Sequence, residues 1–524
     1  MTQVFSLSQL PAGHMHAVTV GDYDVLLANV DGSVYAVENK CSHYGFALTK
    51  GAMCEHRVRC PLHHACFDLR TGEQLEAPGM DGLPRFTVEV RGDDIYVSEE
   101  PEASNTPKPD ASVAVPAPRD GRYDHVIVGG GTAAAYAVEA IRAADRTASV
   151  LVLSAEELPP YDRTKVSKDF MQKDADRGSL PLRSLDFYRD YGVEFRAGVE
   201  VKTLDLQQKT VTLADGGSVT YDRVLMATGG TPVELDLPGA DREGVYTVRK
   251  AADAVAAREA TADGTEVVII GGSFIGLETA MSLGKRGGKI TVVTPEDVLF
   301  GKVFGKEVGA YTRKLHEDAG VSFQLGRKAK EIRGNGSVTS VLLDDGTELP
   351  ADIVIVGIGV KPATDYIEGI AFQEDHSVAV DGHLAAHAEN AWAAGDIATY
   401  PDREGMLRIE HWKVAGQQGR VAGRNMAGQA EPYTMVPFFW TNQQGVNYRY
   451  VGHATDYDDI IFDGTPGESP FLAFYVKDDH VQACLGVKRD ADAAAVNELM
   501  ALGQLPELDE LVGQDWAARC RAVR

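Results

Sequence analysis

Two separate strand–glycine–helix units constrain this fold most. The first reads His125-Val126-Ile127-Val128-Gly129-Gly130-Gly131-Thr132-Ala133-Ala134. An Ala-rich helix follows to about Ala144, then a second strand over 149–153. A G-x-G-x-x-A run carries meaning when it follows a strand and opens a helix, as here. Gly129 permits the tight turn, Gly131 lets the backbone approach a pyrophosphate, and Ala134 keeps helix and strand close. The helix N-terminus offers unpaired N–H groups and a positive dipole to phosphates. The second unit runs from Glu266 to Glu278, through Gly271, Ser273 and Gly276, with a strand over 289–293 after it. Ser273 replaces the middle glycine; its small side chain still allows approach but weakens the fingerprint. Two such units predict two dinucleotides side by side.

The acid expected on the first ribose is Glu156, with Glu157 as neighbour, although a solvated loop glutamate fits that position as well. After the second unit come Thr294 and then Glu296. An acid there favours NADH and basic residues favour NADPH. The reading leans to NADH and leaves NADPH open.

A chain of 524 residues has room for three or four domains. Short alternating runs, such as 25–30, 34–37 and 86–90, separated by Gly and Asp turns, predict an all-β module over residues 1–101. Residues 102–122, rich in Pro and Ala and poor in large apolar side chains, read as a linker on which that module could move. From Tyr123 strands alternate with helices, which predicts a parallel α/β architecture. The expected parts are a first nucleotide domain over 123–244 and 362–430, a second over 245–361, and a C-terminal α+β domain over 431–524.

The net charge of −26 argues against nonspecific nucleic-acid or anionic-membrane binding. No run of about twenty apolar residues is present, and the start lacks a basic n-region followed by an apolar core. Six cysteines are few for this length. Cys54, Cys66, Cys484 and Cys520 show no C-x-x-C spacing, so neither a disulfide scaffold nor a dithiol-reducing enzyme is expected. A reducing cytoplasm fits.

The β module carries Cys41-Ser42-His43 and Cys60-Pro61-Leu62-His63, with sixteen residues between His43 and Cys60. Two thiolates and two imidazoles from two loops are the ligand set of a Rieske [2Fe–2S] centre, in which two cysteines hold one iron and two histidines the other. A Cys₂His₂ zinc site is the rival. Zinc fingers usually present a cysteine pair first and a histidine pair later, whereas each loop here brings one of each. His64 is read as a neighbour, because the x-x spacing selects His63. Phe46 and Leu62 occupy the positions where high-potential Rieske proteins resembling this motif carry a disulfide, which predicts the ferredoxin-type centre.

Further markers lie around the two nucleotide units. Tyr221-Asp222-Arg223-Val224-Leu225-Met226-Ala227-Thr228-Gly229 is a strand ending in small residues. A similar strand leads to Gly357-Ile358-Gly359, and Ala391-Trp392-Ala393-Ala394-Gly395-Asp396 puts a carboxylate at a strand end. Together these resemble the two-dinucleotide flavin reductases, which include glutathione-reductase-like enzymes and the ferredoxin reductases of ring-hydroxylating oxygenases. Pro160-Tyr161-Asp162-Arg163-Thr164-Lys165-Val166-Ser167-Lys168 is similar to the Y-x-R-P-x-L-S-K stretch of the apoptosis-inducing-factor and oxygenase-reductase branch, with Thr164 for proline and Val166 for leucine. With its β module, the whole chain resembles the Rieske-containing apoptosis-inducing-factor-like proteins.

The resemblance implies a fold: an all-β Rieske module, then a two-Rossmann flavoprotein disulfide-reductase-like body with an α+β C-terminal domain. It implies FAD near Gly129, Gly131, Ala134, Ala227, Gly229 and Gly395, with Asp396 on the ribitol chain and Arg163 on the pyrophosphate or covering its entrance. Lys168 would sit beside the flavin ring, paired with Glu278; polarising the ring for hydride arrival would be its task. Gly271, Gly276 and Glu278 would lie near the nicotinamide nucleotide, and Gly359 is a further cofactor-binding candidate. Glu410-His411-Trp412 opens a helix whose N-terminus could face the electron-rich flavin edge. Trp440 is the candidate stacking residue, with a plain core tryptophan as the other reading. The implied activity passes electrons from NAD(P)H through FAD and [2Fe–2S] to a protein acceptor such as an oxygenase. Direct reduction of a quinone or oxygen, and a redox-responsive binding protein, are the alternatives. The expected assembly is a monomer or homodimer.

Overall fold

The computed structural model describes residues 1–102, 109–110, 112, 114–403 and 405–523. Residues 103–108, 111 and 113 of the expected linker lie outside the described residues. The chain forms two compact units. One comprises Met1–Lys108, Met435–Trp440 and Tyr448–Arg524; the other comprises Pro109–Thr434 and Thr441–Asn447. Four helices matter below: α1 (Thr132–Ala144), α2 (Phe274–Gly284), α3 (Trp412–Met426) and α4 (Asp490–Ala501).

In the second unit, strand Arg122–Val128 lies between Val150–Leu153 and Ser218–Met226, parallel to both. All four residues of Val150–Leu153 are buried, as expected for a parallel strand covered on both faces. Helix α1 follows the central strand and packs against α3. That packing is close: a Cβ on Gly419 would stand 2.1 Å from the Ala133 carbonyl oxygen, and one on Gly423 2.5 Å from that of Ala137. Alanines on one helix and glycines on the other bring the axes together, so that both N-termini reach the same cavity. A second sheet runs Val245–Thr247, Ile353–Val356, Glu266–Ile270, Lys289–Thr294, Ser322–Leu325, every neighbouring pair parallel.

In the first unit, a four-stranded sheet over His14–Val20, Tyr23–Val30, Ser33–Glu38 and Arg85–Phe86 supports a smaller sheet over Ala52–Cys54, Arg57–Arg59, Cys66–Asp68 and Gln74–Glu76. The C-terminal sheet runs Phe438–Gln443, Val446–Gly452, His480–Val487, Phe471–Lys477, Asp459–Asp463. Ala52 and Cys54 share a buried core with Phe474, Cys484, Ala495 and Trp516.

Two findings depart from the sequence reading. Cys54 and Cys520 form a disulfide across 466 positions of chain. A pairing over that separation leaves no local spacing signal. In addition, Arg59 pairs with Glu498 on α4 at 2.7 Å, both side chains fully buried, and with Glu76 at 2.6 Å. Removing one partner of such a pair strands a buried charge, at a cost of roughly 3–5 kcal/mol. The β module, read from its linker as able to move, is therefore tied to the C-terminal segment by a covalent bond, an ionic network and a shared core.

Candidate redox sites

The two Cys/His loops are built alike. The Cys41 N–H donates to the Phe46 carbonyl and the Gly45 N–H to the Cys41 carbonyl, at 2.9 and 2.8 Å. The Cys60 N–H donates to Ala65 and the His64 N–H to Cys60, at 2.8 and 3.0 Å. The fourth residue after each cysteine is left-handed, Gly45 at φ 68° and His64 at φ 58°. Each loop thus curls around its cysteine and turns a histidine to the same side. His43 Nδ1 and His63 Nδ1 meet at 3.1 Å. Both cysteines are buried. Hydrogen bonding from Cys41 draws the Cys60 thiol down, against burial, and lowers it with help from the Leu62 and His63 amides and the Arg449 charge. Two sulfurs on one side and two Nδ1 atoms on the other suit a two-iron centre with a different ligand pair on each iron. Phe46 and Leu62 pack against the core of the module, so no disulfide bridges the loops.

His64 is no ligand candidate: its ring stacks on Phe438 at 3.9 Å. Trp440, expected on the flavin, stands against His63 with ring centroids 4.5 Å apart. Cys66, Glu76 and Glu498 bring a thiol and two carboxylates together. Arg57 and Arg59 already neutralise that group, and burial pushes the Cys66 thiol up to about 12. It is an ion-pair network around a neutral thiol.

In the other unit, a cavity of about 610 Å³ opens at the N-termini of α1 and α3. Gly129, Gly131, Glu156, Arg163, Ala227, Gly229, Gly395, Asp396, Glu410, His411 and Trp412 all line it. Gly129 is at φ +117°, and a Cβ there would stand 2.2 Å from the Ala227 carbonyl oxygen. A Cβ on Gly131 would meet nothing within 4 Å: the space in front of the α1 amides is open, as a pyrophosphate requires. Glu156 accepts from the Tyr161 hydroxyl at 2.8 Å and is bonded to the Arg163 guanidinium. Burial raises its carboxyl, and the Arg163 charge overrides that and leaves it below the usual range. His411 caps α3, its Nδ1 accepting from the Lys413 N–H at 3.2 Å. Burial, then the charges of Lys168 and Lys413, push it down to about 3, so the ring is neutral at physiological pH. Burial raises the Glu410 carboxyl, with Arg408 opposing.

Arg249 was not singled out in the sequence. It pairs with Asp396 at 2.7 Å. The available signal was an oddity: Arg249 and Lys250 stand immediately ahead of helix Ala251–Glu259, where the helix dipole disfavours cations.

Outside the cavity lining, Lys168 Nζ meets Glu278 Oε2 at 2.7 Å. The same carboxylate accepts from Ser167 Oγ and Thr441 Oγ1, both at 2.6 Å. Glu278 lies on α2, so the pair joins the second nucleotide unit to the Lys168 loop of the first. Gly271 repeats the Gly129 turn at φ +113°, its hypothetical Cβ 2.3 Å from the Gly357 carbonyl oxygen. Gly276 sits 2.6 Å in the same sense from the Gly271 carbonyl. Gly359 is also left-handed, at φ +116°. Ala134 is buried within α1.

The sequence pattern of the pyridine nucleotide-disulphide oxidoreductases matches residues 123–419. The chain belongs to that family. The Rieske [2Fe–2S] domain matches residues 1–87, and the reductase C-terminal domain matches 438–520. Apoptosis-inducing factor 3 from Homo sapiens is 33% identical over 511 residues, 96% of this chain and 84% of that protein. The ferredoxin–NAD(+) reductase component of the anthranilate 1,2-dioxygenase system from Burkholderia cepacia is 31% identical over 395 residues, 74% of this chain and 96% of that one. Among solved structures, the ferredoxin reductase for the CYP199A2 system from Rhodopseudomonas palustris aligns with a TM-score of 0.72 at 27% identity, covering 76% of this chain and all of that one. The protein is an NAD(P)H-dependent flavoprotein oxidoreductase with FAD and a Rieske [2Fe–2S] centre. Among the described residues, no helix is long and apolar enough to cross a membrane.

Proposed function

We propose that this chain is a ferredoxin reductase joined to its own Rieske ferredoxin, which takes electrons from NADH and delivers them one at a time to a separate metalloprotein such as an oxygenase. When bound, FAD accepts the hydride pair and the cluster carries single electrons onward. Cys41, His43, Cys60 and His63 would hold the cluster. Gly129, Gly131, Glu156, Arg163 and Asp396 would hold FAD around the first cavity, with His411 and the α3 N-terminus at its wall. Gly271, Gly276 and Glu296 would receive the nicotinamide nucleotide. Lys168, fixed by Glu278, would stand by the flavin ring. The carrying observation is the cluster cradle itself, present in the same chain as the reductase and tied to the reductase C-terminal domain. The net charge of −26 favours a basic docking face on the acceptor. Support for NADH is the Glu296 carboxylate, hydrogen-bonded to Thr294 at the end of its strand, together with the name of the Burkholderia relative.

A second reading, a redox-responsive binding protein, draws on the near full-length match to apoptosis-inducing factor 3. Replacing His63 with Ala separates the two. Under the proposal, NADH-dependent flavin bleaching stays intact and electron passage to cytochrome c is abolished. Unchanged cytochrome reduction in that variant removes the cluster from the route. An NADH-induced change in size, with slow acceptor reduction in the wild type, favours the second reading.

A further inference from the structure

We propose that Arg449, on a strand of the reductase C-terminal sheet, is the fixed positive charge that sets the reduction potential of the cluster held by the N-terminal module. The hairpin Phe438–Gln443/Val446–Gly452 has its register pinned at two places. The Gly452 N–H donates to the Pro437 carbonyl at 2.8 Å, and Asn442 Nδ2 donates to Asn447 Oδ1 at 2.8 Å. That register sets Arg449 directly opposite Trp440. Cross-strand partners share one face of a sheet, and Phe438, two residues from Trp440, shares it too. This face meets the second cluster loop: Trp440 against His63 at 4.5 Å and Phe438 against His64 at 3.9 Å.

Arg449 is 1% exposed. Its Nε, Nη1 and Nη2 have no hydrogen-bond partner among the described residues. Among the described residues one carboxylate opposes it, Asp490 at 3.4 Å, and that side chain is 37% exposed. A buried guanidinium with open donors is costly unless something negative answers it. The cationic groups of the module itself differ. Arg59 is held by Glu76 and Glu498, and Arg57 by the same two carboxylates, so that network adds little net charge. Among the described residues the counter-ion of Arg449 is the part-exposed Asp490 alone, so Arg449 keeps more of its charge than the doubly paired arginines of the module.

Reduction brings one electron to the centre, supplied by NAD(P)H through FAD, and no atom leaves. The centre becomes more negative by one. A fixed cation in a poorly screened interior stabilises that form, and net charge near the cluster is one of the protein's levers on its potential. Arg449 acts through space on the ligands and is not catalytic.

The inference rests on the cluster reading, so iron and acid-labile sulfide are assayed first on the intact chain. A wild type without them ends both; a loaded centre tests the inference alone. An EPR-monitored redox titration of the holoprotein is then run on Arg449→Gln, Arg449→Lys and Asp490→Asn. The Gln variant is expected to shift the one-electron equilibrium at least tenfold toward the oxidised form, about 59 mV. Lys should stay within threefold of wild type, and Asp490→Asn should shift the other way, because it frees the charge. A Gln variant titrating as wild type, or Lys falling as far as Gln, overturns the inference. If the Gln variant does not load, the other two decide: Asp490→Asn moving toward the reduced form with Lys unchanged upholds it, and Asp490→Asn at the wild-type value refutes it.

Discussion

The two nucleotide units share a turn and differ at the helix N-terminus. Gly129 and Gly271 have nearly the same φ, and each has its Cβ direction blocked by a carbonyl. At α1 the N-cap is Gly131, which offers no side-chain hydrogen bond to the helix. At α2 it is Ser273, whose Oγ accepts from the Gly276 N–H at 3.1 Å. A helix with no side-chain cap in front of an open cavity leaves its first amides to water or to a bound anion. A helix that caps itself is satisfied when empty. The capping difference at this one position fits the proposed roles, a resident cofactor at the first site and an exchanging nucleotide at the second.

The strongest test of this contrast is Gly129→Val. Any Cβ there meets the Ala227 carbonyl at 2.2 Å, so the purified protein should lack FAD by absorbance while unfolding cooperatively. Full flavin content would remove the turn from the cofactor site. Next, Lys168→Ala cuts the ion pair that joins the two units. Flavin bleaching by NADH in stopped flow should slow on the order of a hundredfold, with FAD retention nearly unchanged; equal loss of both makes the residue structural only. Smaller again, Ser273→Ala removes the α2 cap at about 1 kcal/mol. By freeing an amide that the nucleotide can then engage, it should lower the KM for NADH several-fold and leave the flavin in place; an unchanged KM, or a loss of FAD, would erase the distinction between the units.

The smallest effect is in pH. His411 sits low, near 3, against about 6.5 when unfolded. Between those values the unfolded chain binds the extra proton, so stability is complete above about 6.5 and falls as pH drops toward 3. His411 is half-buried at the cavity wall, and solvent tempers the loss to about 1–2 kcal/mol. Thermal melts of His411→Gln should be flatter than wild type from pH 6.5 to 4; parallel slopes would take His411 out of the acid response.

The sequence was legible wherever chemistry is local. The Cys41/His43 and Cys60/His63 quartet, both glycine turns and the Lys168 loop each carry their meaning within a few residues, because ligand spacing and backbone turns are short-range. The pairing of Lys168 with Glu278 was reached through family resemblance, since their spacing holds no clue to it. Trp440 was legible as an aromatic of consequence, but its contact with His63 was not. Arg249, the partner of Asp396, went unnoticed, because an arginine reveals its carboxylate only in three dimensions.

By itself the sequence determined the parts: a Rieske β module, two glycine-turn α/β units and a C-terminal sheet. Only the tertiary structure decided that the first and last of these share a core, a disulfide from Cys54 to Cys520 and a buried Arg59–Glu498 pair. Periodicity and spacing record what neighbours along the chain must do to bury a face or bind a group. Contacts over more than four hundred residues depend on which faces remain to be buried after local structure has formed, and no local pattern records that.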